Sequence, residues 1–383
     1  MRIVAFDHVT LATNPSGSLL RRVLEGLNDE HEFTVVSVEF DNPAPDRIRW
    51  VRIPAVRRPQ VALFLSYHAG VTLARSRGRL RTDDVDLVQS MEADAFGASL
   101  VWAHFCHRAY LRNHWRAGRP TGMGRIARYL DHKVRALLEP AIYRRARTVV
   151  ATSQGLAREL QREFPSLSGR VTVIPNAVEL DRFRRPADIE PVAVRRRFGL
   201  PEDRLVVAFV ALGHFERKGL PLLLDALRLN PTLPIHLAVV GGTPAATKAY
   251  RDQAERSDLD GRVSFLGTQP DVRPFLWAAD AFVLPSHYET FSLAPLEAMA
   301  AAVPIVVSDL YGMEDVLIDG VNGLLVETTP VSIAAALAHL VELGPEGRSR
   351  LAERGLHDVQ AYSEEAFVTR WRELYGLLSP QAG

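Results

Sequence analysis

Short apolar runs alternate with helix-forming segments along nearly the whole chain, and this alternation limits the possible folds most strongly. In the first half, strand-like runs such as Arg2–Val9 and Ser99–His104 are separated by helical patterns. In the second half the alternation restarts at Leu205–Ala211 and continues to Gly323–Val326. Strands that are separated by helices pair in parallel, because a crossover returns the chain to the same end of the sheet. The sequence therefore predicts two α/β domains with doubly wound parallel sheets.

The length of 383 residues also favours two domains, since one hydrophobic core rarely organises so long a chain. The polar, proline-containing stretch Asp181–Pro191 is interpreted as the interdomain linker. The segment Ser363–Leu378 has the pattern of an amphipathic helix, with Phe367, Trp371, Leu374 and Leu378 on one face. No strand follows this helix, so it must pack on a core that is already formed.

Composition excludes several classes of protein. Apolar residues make up 47% of the chain and charged residues 24%, which is typical of a globular protein. No apolar run approaches the ~18 residues of a membrane-spanning helix, and the N-terminus lacks the pattern of a signal peptide. Cys106 is the single cysteine, so no internal disulfide can form, which fits the cytoplasm. A net charge of +1 gives no reason to expect nucleic acid as a partner.

The stretch Ser286–Ala302 carries the clearest chemical signal. It follows a strand-like run and turns into a helical pattern, with Glu289 in the turn and Glu297 eight residues later in the helix. The start of a helix exposes N–H groups that favour a phosphate, and here they are expected at Phe291, Ser292 and Leu293. Two carboxylates can accept hydrogen bonds from sugar hydroxyls. The stretch therefore predicts a site for a nucleotide sugar.

The region 112–147 is strongly basic. Within it, one helical face is predicted from the spacing of Ile126, Leu130, Val134, Leu137 and Ala141. The opposite face would then carry Arg125, Arg128, His132 and Arg135. Two interpretations remain open: a solvated face of a domain helix, or peripheral contact with an anionic membrane.

The motifs resemble those of retaining glycosyltransferases of family four. Tyr288–Ala300 is similar to the E-x7-E motif of that family, and Ala211–Leu220 to its glycine loop ending in Lys-Gly. Further similar segments follow the family's order: Thr172–Val178 with Phe183, Val263–Gly267, Val307–Asp309 with Gly312 and Glu314, and Asp319–Leu325. The resemblance implies the GT-B fold, in which two Rossmann-like domains face a cleft. We expect an acceptor domain of residues 1–180 with helix 363–383 crossing back to it, and a donor domain of residues 181–362.

The resemblance also implies roles for residues of the second half. Lys218 would carry the positive charge on the diphosphate, assisted by Arg217 or His214, while Gly213 and Gly219 let the backbone approach closely. Glu297 would bind the ribose hydroxyls, and Glu289 the donor sugar. The remaining donor-binding candidates are Leu266, Thr290, Phe291, Ser292 and Leu293. No metal would be needed, because preorganised donors can neutralise the leaving phosphate.

Three residues of the first half are candidates on the same basis. Gly17 lies in the loop expected to approach the diphosphate, with an ordinary turn glycine as the alternative. His104 ends a strand at the ligand-binding edge of a parallel sheet and is the preferred catalytic candidate. His107 competes with it and otherwise belongs to the acceptor side.

The sequence thus predicts a cytoplasmic, metal-independent, retaining glycosyltransferase with a nucleotide-sugar donor and an unidentified acceptor. The strings Asp84-Val-Asp86 and Asp258-Leu-Asp260 match an Asp-x-Asp metal motif only formally, because aspartates are common in turns beside strands. Two alternatives stay open: a sugar-nucleotide epimerase of the same fold, and a non-catalytic nucleotide-sugar binder.

Overall fold

The structure, a computed structural model, describes residues 1–116 and 124–379. These residues form two compact units. The first comprises residues 1–115, 124–177 and 364–379, and the second comprises Val178–Ser363. Every strand pair of the described chain is parallel, as the alternation predicts.

The first unit is built on a seven-stranded sheet with the order β5-β3-β1-β6-β7-β8-β9. The strands of this unit are β1 (Arg2–Phe6), β2 (Val9–Thr10), β3 (Glu32–Ser37), β4 (Glu39–Phe40), β5 (Arg49–Arg52), β6 (Leu87–Met91), β7 (Leu100–Ala103), β8 (Thr148–Ala151) and β9 (Val171–Val173). Strands β2 and β4 pair with each other in a separate two-stranded sheet. The helices up to this point are α1 (Pro15–Leu27), α2 (Gln60–Ser76), α3 (His107–Ala109), α4 (Gly124–Arg145) and α5 (Gln154–Glu163). The strand order reverses between β1 and β6, and ligands of such sheets bind outside the carboxyl ends of the strands at this point.

The second unit has a six-stranded sheet with the order β12-β11-β10-β13-β14-β15. Its strands are β10 (Leu205–Val210), β11 (Ile235–Val240), β12 (Val263–Gly267), β13 (Ala281–Leu284), β14 (Ile305–Ser308) and β15 (Leu324–Val326). Its helices are α6 (Leu180–Phe183), α7 (Pro191–Phe198), α8 (Leu220–Leu229), α9 (Pro244–Glu255), α10 (Arg273–Ala278), α11 (Leu293–Ala300), α12 (Pro330–Glu342) and α13 (Gly344–Asp358). Here the strand order reverses between β10 and β13.

The predicted linker Asp181–Pro191 is more structured than the sequence suggests. Helix α6 begins before it, and α7 begins at its last residue, Pro191. Proline is favoured in the first turn of a helix, because its missing N–H would have no helical partner there. The ring of Trp277 donates a hydrogen bond to the carbonyl of Phe183 at 2.8 Å, which ties this stretch to the second unit.

The last helix, α14 (Glu364–Leu378), packs into the core of the first unit. Trp371 is fully buried and its ring centroid lies 4.5 Å from that of Trp102. The hydroxyl of Tyr375 donates a hydrogen bond to Oε1 of Gln89 at 2.6 Å. Helix α14 therefore supplies part of the core of the first unit. The sheet of that unit is built from residues 2–173, far from α14 along the chain.

The faces of α4 differ from the prediction in part, although Val134 packs against the core as its apolar position predicts. Ile126, Leu130 and Leu137, which were placed on the buried face, are 70%, 48% and 66% exposed. On the predicted basic face, Arg135 instead bonds Glu92, and its guanidinium lies over the ring of Phe64 at 4.7 Å. Glu92, which follows β6, draws Arg135 inward, and helical spacing within α4 does not reveal this contact. Residues 117–123 of the basic region, Arg119 among them, lie outside the described residues.

The packing of α14 gives a stability prediction. Trp371→Ala should lower the free energy of unfolding of the first unit by about 3–5 kcal/mol, because it empties a fully enclosed site. Leu377 on the same helix is 84% exposed, so Leu377→Ala should change this free energy by less than about 0.5 kcal/mol. Urea titration with hydrogen exchange of the amides in β1, β6 and β7 measures both. Equal effects of the two substitutions would contradict the assigned role of α14.

Candidate active site

Two loops meet at the carboxyl ends of β10 and β13, and the predicted site residues of the second half lie in them. Lys218 is in the loop after β10, and Glu289 is in the loop after β13. The Nζ atom of Lys218 lies 2.7 Å from Oε1 of Glu289, and a guanidinium nitrogen of Arg217 lies 3.0 Å from the same oxygen. Arg217 also donates to the carbonyl of Tyr288 at 2.6 Å. The fold therefore brings Glu289 together with two adjacent candidate residues that lie about 70 positions earlier in the chain.

The backbone of the first loop explains why the sequence reads Lys-Gly there. The N–H of Lys218 donates to the carbonyl of His214, which closes a turn. Gly219 then has a φ of +82°, and a Cβ at this position would lie 2.0 Å from the carbonyl oxygen of Pro285. Only glycine combines this conformation with this close approach. The N–H of His287 donates to the carbonyl of Arg217 and links the two loops further.

The ion cluster of Glu289, Lys218 and Arg217 carries a surplus of positive charge. Glu289 is only 8% exposed. Burial by itself would raise the pKa of this carboxyl, but Lys218 and Arg217 outweigh burial and hold its pKa below the ordinary value. Both cations contact Oε1. One carboxylate against two cations leaves one positive charge for an anionic ligand.

Helix α11 begins slightly later than predicted. Its N-cap is Ser292, whose side chain makes no capping hydrogen bond, and the helix starts at Leu293. The sequence predicted that the free N–H groups begin at Phe291. In the structure they begin one to two residues later. Glu297 lies inside this helix and is half-buried. The ring of Phe291 packs on Gly312, where a Cβ would lie 2.5 Å from the ring.

The other predicted donor-binding residues are less clearly constrained. A Cβ at Gly213 would meet no atom within 4 Å, so no contact within the chain requires glycine there. His214 is exposed and has a φ of +56°. Thr290 is half-buried beside Glu289. Leu266 lies in β12 and packs with the small cluster around Leu200, Val206 and Ala238.

The two candidate histidines of the first unit have different environments. Both ring nitrogens of His104 are buried and have no hydrogen-bond partner among the described residues. Burial lowers the pKa of His104 to about 4, so the ring is neutral near pH 7. His107, in contrast, has Nδ1 2.9 Å from Nδ1 of His132 and Nε2 3.5 Å from Oε2 of Glu92. His107 therefore belongs to a packed polar network, whereas the nitrogens of His104 remain available.

Gly17 lies in the first turn of α1 rather than in a loop. Asn14 caps this helix by accepting hydrogen bonds from the N–H groups of Ser16 and Gly17. A Cβ at Gly17 would lie 2.4 Å from the carbonyl oxygen of Val9. Close packing of the helix start on β2 explains this glycine without a ligand.

Sequence reasoning missed a polar group at the edge of the first sheet. His8 follows β1 and Asp94 follows β6, and Nδ1 of His8 lies 2.6 Å from Oδ2 of Asp94. Glu92 is beside them with a φ of +44°, and it bonds both His107 and Arg135. The only signal in the sequence is that charged residues interrupt the apolar runs at the two strand ends.

Within residues 1–116 and 124–379, no group of three or more His, Cys, Asp or Glu side chains could hold a metal ion. No helix in the described ranges has the length and apolar character needed to cross a bilayer.

Two family models match the chain in succession. The model described as glycosyltransferase family 4 matches residues 17–182, and the model described as glycosyl transferases group 1 matches residues 193–358. A D-inositol 3-phosphate glycosyltransferase from Geodermatophilus obscurus is 36% identical over 221 residues, which cover 54% of this chain and 48% of that protein. The chain spans between 47% and 64% of the length of the curated relatives compared.

Solved structures show the same architecture. Sucrose-phosphate synthase from Thermosynechococcus elongatus aligns over 98% of both chains with a TM-score of 0.78 and 22% identity. The Anabaena protein HepE in complex with UDP-glucose aligns over 98% of this chain and 99% of its own, with a TM-score of 0.71 and 18% identity. At these identities the likeness shows the fold. Since the two family models together match 17–182 and 193–358, the chain belongs to the family-four glycosyltransferases with the GT-B fold.

Proposed function

We propose that the protein transfers a sugar from a nucleoside-diphosphate sugar to an acceptor, with retention of configuration and without a metal ion. The observation that carries the proposal is the ion cluster of Glu289, Lys218 and Arg217 at the point where the second sheet reverses its strand order. Its surplus positive charge suits a diphosphate, and Oε2 of Glu289 suits a sugar hydroxyl. HepE was solved with UDP-glucose, which makes UDP-glucose a suitable first donor to test.

The reaction needs stabilisation of the negative charge that develops on the leaving diphosphate. Lys218 is held 2.7 Å from Glu289 and is only 16% exposed, so its ammonium group is fixed before the donor binds. Arg217 is fixed by Tyr288 and Glu289 in the same way. Preorganised charges of this kind need little rearrangement during the reaction, and they act more strongly where water is excluded. We assign leaving-group stabilisation to Lys218 and Arg217, with the N–H groups at the start of α11 as further donors.

The other assignments follow the family motif. Glu297 is half-buried within α11, and we assign it to the ribose hydroxyls. Glu289 is assigned to the donor sugar through Oε2. His104 remains the catalytic candidate of the first unit in preference to His107, because its ring nitrogens are buried and available whereas those of His107 are engaged.

Two other functions remain as alternatives. An epimerase of the same fold would convert the nucleotide sugar without an acceptor. A non-catalytic binder would bind it without turnover. The ordered cluster of two cations and Glu289 supports group transfer, because preorganised charges can stabilise the additional negative charge that develops on a leaving diphosphate.

The proposed function is tested by incubating the protein with UDP-, GDP- and dTDP-sugars, with and without a panel of sugar and polyol acceptors. We expect one donor to raise the melting temperature, since a ligand that binds only the native state stabilises it. Transfer should persist in EDTA, and NMR should show the anomeric configuration of the donor in the product. Inversion, or loss of transfer in EDTA that added Mg²⁺ restores, would contradict the mechanism. Epimerised donor without an acceptor would support the first alternative.

The role of Lys218 gives a sharper prediction. Lys218→Ala should lower kcat/KM by about 100-fold or more, as expected for loss of one preorganised charge at the leaving group. Lys248 of α9 is a surface lysine that bonds Asp252 at 2.6 Å. Lys248→Ala is the matched control and should leave kcat/KM unchanged.

Glu297→Ala extends this test to the ribose contact. We expect Glu297→Ala to remove most of the sugar-transfer activity. The control is Glu255→Ala, at an exposed position of α9. Circular dichroism and melting temperatures must show that all four variants are folded. Wild-type turnover in folded Lys218→Ala or Glu297→Ala would exclude the site assignment.

We also propose that the exposed face of α4 contacts an anionic membrane surface. The support is the outward position of Ile126, Leu130 and Leu137, with exposed Arg125 and Lys133 on the same helix. Apolar and cationic side chains together suit the boundary between headgroups and acyl chains.

This contact is tested by replacing Ile126, Leu130 and Leu137 together with serine. We expect the wild type, but not the triple variant, to sediment with phosphatidylglycerol-containing vesicles, and pure phosphatidylcholine vesicles to bind neither. Exposed Leu65 and Leu73 of α2, replaced by serine, serve as the control. Equal sedimentation of the triple variant and the wild type would favour the solvated helix face.

A further inference from the structure

Lys218 lies in a short turn, residues 214–220, which is here named the Lys218 turn. Three backbone N–H groups close it by donating to carbonyls, in the order Lys218 to His214, Gly219 to Glu216 and Leu220 to Phe215. On one side the turn is held by the contact of Lys218 and Arg217 with Glu289. A diphosphate that draws Lys218 away from Glu289 would loosen the turn on this side. The position of the ammonium group then depends on what else holds the turn.

The side chain of Phe215 anchors the turn in the core of the second unit. Phe215 is 1% exposed, and its ring lies edge-on to those of Phe209 and Tyr250, at centroid distances of 6.0 and 5.6 Å. The loop after β11 packs on the same ring, because a Cβ at Gly242 would lie 2.3 Å from it. Apolar packing of this kind is not directional. It fixes the depth of the turn in the core but not its orientation.

A directional contact comes from Tyr250 of α9, whose ring packs on Phe215. Its hydroxyl donates a hydrogen bond to the carboxylate of Glu216, two residues before Lys218. Burial, together with the charge of Glu216 and this hydrogen bond, raises the pKa of Tyr250 well above its ordinary value, so the hydroxyl keeps its proton at neutral pH. A hydrogen bond to a charged group is stronger than one between neutral groups, and this one therefore orients the turn.

Helix α9 is itself fixed on the sheet of the second unit. Thr243 caps its N-terminus by accepting a hydrogen bond from the N–H of Ala246. Arg251 donates to the carbonyl of Phe265 in β12 at 2.9 Å. Ala246 and Tyr250 pack against the core of this unit. Tyr250 therefore links a fixed helix to the turn that carries Lys218.

We propose that Tyr250 is a positioning residue for sugar transfer, and that it holds the Lys218 turn through Glu216 while Lys218 engages the leaving diphosphate. The proposal rests on the proposed function for the role of Lys218. Negative charge on the diphosphate increases as the glycosidic bond breaks, so a displaced ammonium group costs more in the transition state than in the bound donor. Loss of the Tyr250 hydroxyl should therefore lower kcat more than it raises KM.

The first test is Tyr250→Phe, which keeps the ring on Phe215 and removes only the hydroxyl. We expect kcat for sugar transfer to fall about tenfold, as for the loss of one hydrogen bond to a charged group. The KM for the donor should change less than about threefold. The matched control is Asp252→Ala on the same helix, which removes a surface hydrogen bond from Lys248 at 2.6 Å and should leave both constants unchanged. Wild-type kcat in folded Tyr250→Phe, or a rise in KM alone, would overturn the proposal.

Variants of Glu216 test whether the two residues act through one bond. Glu216→Ala should lower kcat as much as Tyr250→Phe does, because either substitution breaks the same hydrogen bond. Glu216→Gln should recover most of this loss, since an amide oxygen also accepts from a hydroxyl. The double variant with Tyr250→Phe and Glu216→Ala should be no slower than either single variant. Losses that multiply in the double variant would show independent roles and would contradict the proposal.

Hydrogen exchange measured by mass spectrometry gives a readout that does not need the transfer reaction. Tyr250→Phe should speed exchange in the Lys218 turn about tenfold, because the turn opens more often when its anchor is lost. Exchange in β10 and β11 should not change, and Asp252→Ala should leave the turn at the wild-type rate. Unchanged exchange in the turn of Tyr250→Phe would overturn the proposal. If the turn exchanges faster but the wild type transfers no sugar, the proposed function fails and the anchoring of the turn by Tyr250 stands.

Discussion

The bond from Lys218 and Arg217 to one oxygen of Glu289 is the interaction on which the second unit's site depends. It joins loops that follow β10 and β13, the two strands between which the sheet reverses its order. A buried carboxylate without cations would tend to be protonated, and two close cations without a carboxylate would repel each other. Together they are stable, and they still carry one positive charge. The same interaction therefore holds the loops in place, and under the proposed function its remaining positive charge serves a diphosphate.

The first unit uses a similar arrangement for a different polar group. His8 and Asp94 join the loops after β1 and β6, which are the strands at its own point of reversal. Nearby, Glu92 bonds His107 and Arg135, and Arg135 also bonds Asp131 of α4. These contacts join the loop after β6 to α3 and α4.

Helix α4 shows where a periodic pattern misleads. Its apolar residues recur at helical spacing, and the sequence therefore placed them inward. The structure turns Ile126, Leu130 and Leu137 outward, and buries Arg135 against Glu92 and Phe64 instead. A buried salt bridge with several hydrogen bonds can compete with burial of a few aliphatic side chains. Which of the two occurs depends on the charges of neighbouring elements, and periodicity within one helix contains no information on them.

The sequence by itself determined the class of fold, most strand and helix positions, and the candidate residues of the second unit's site, because these follow from local periodicity, glycine conformations and ordered motifs. It indicated the glycine at 219 and the carboxylates at 289 and 297. It could not place Arg217 and Lys218 on the same oxygen of Glu289, or show that the ring nitrogens of His107 are engaged while those of His104 have no partner among the described residues. Those features arise from contacts between residues as far as about 70 positions apart, and only the packing of the sheets and helices decides such contacts.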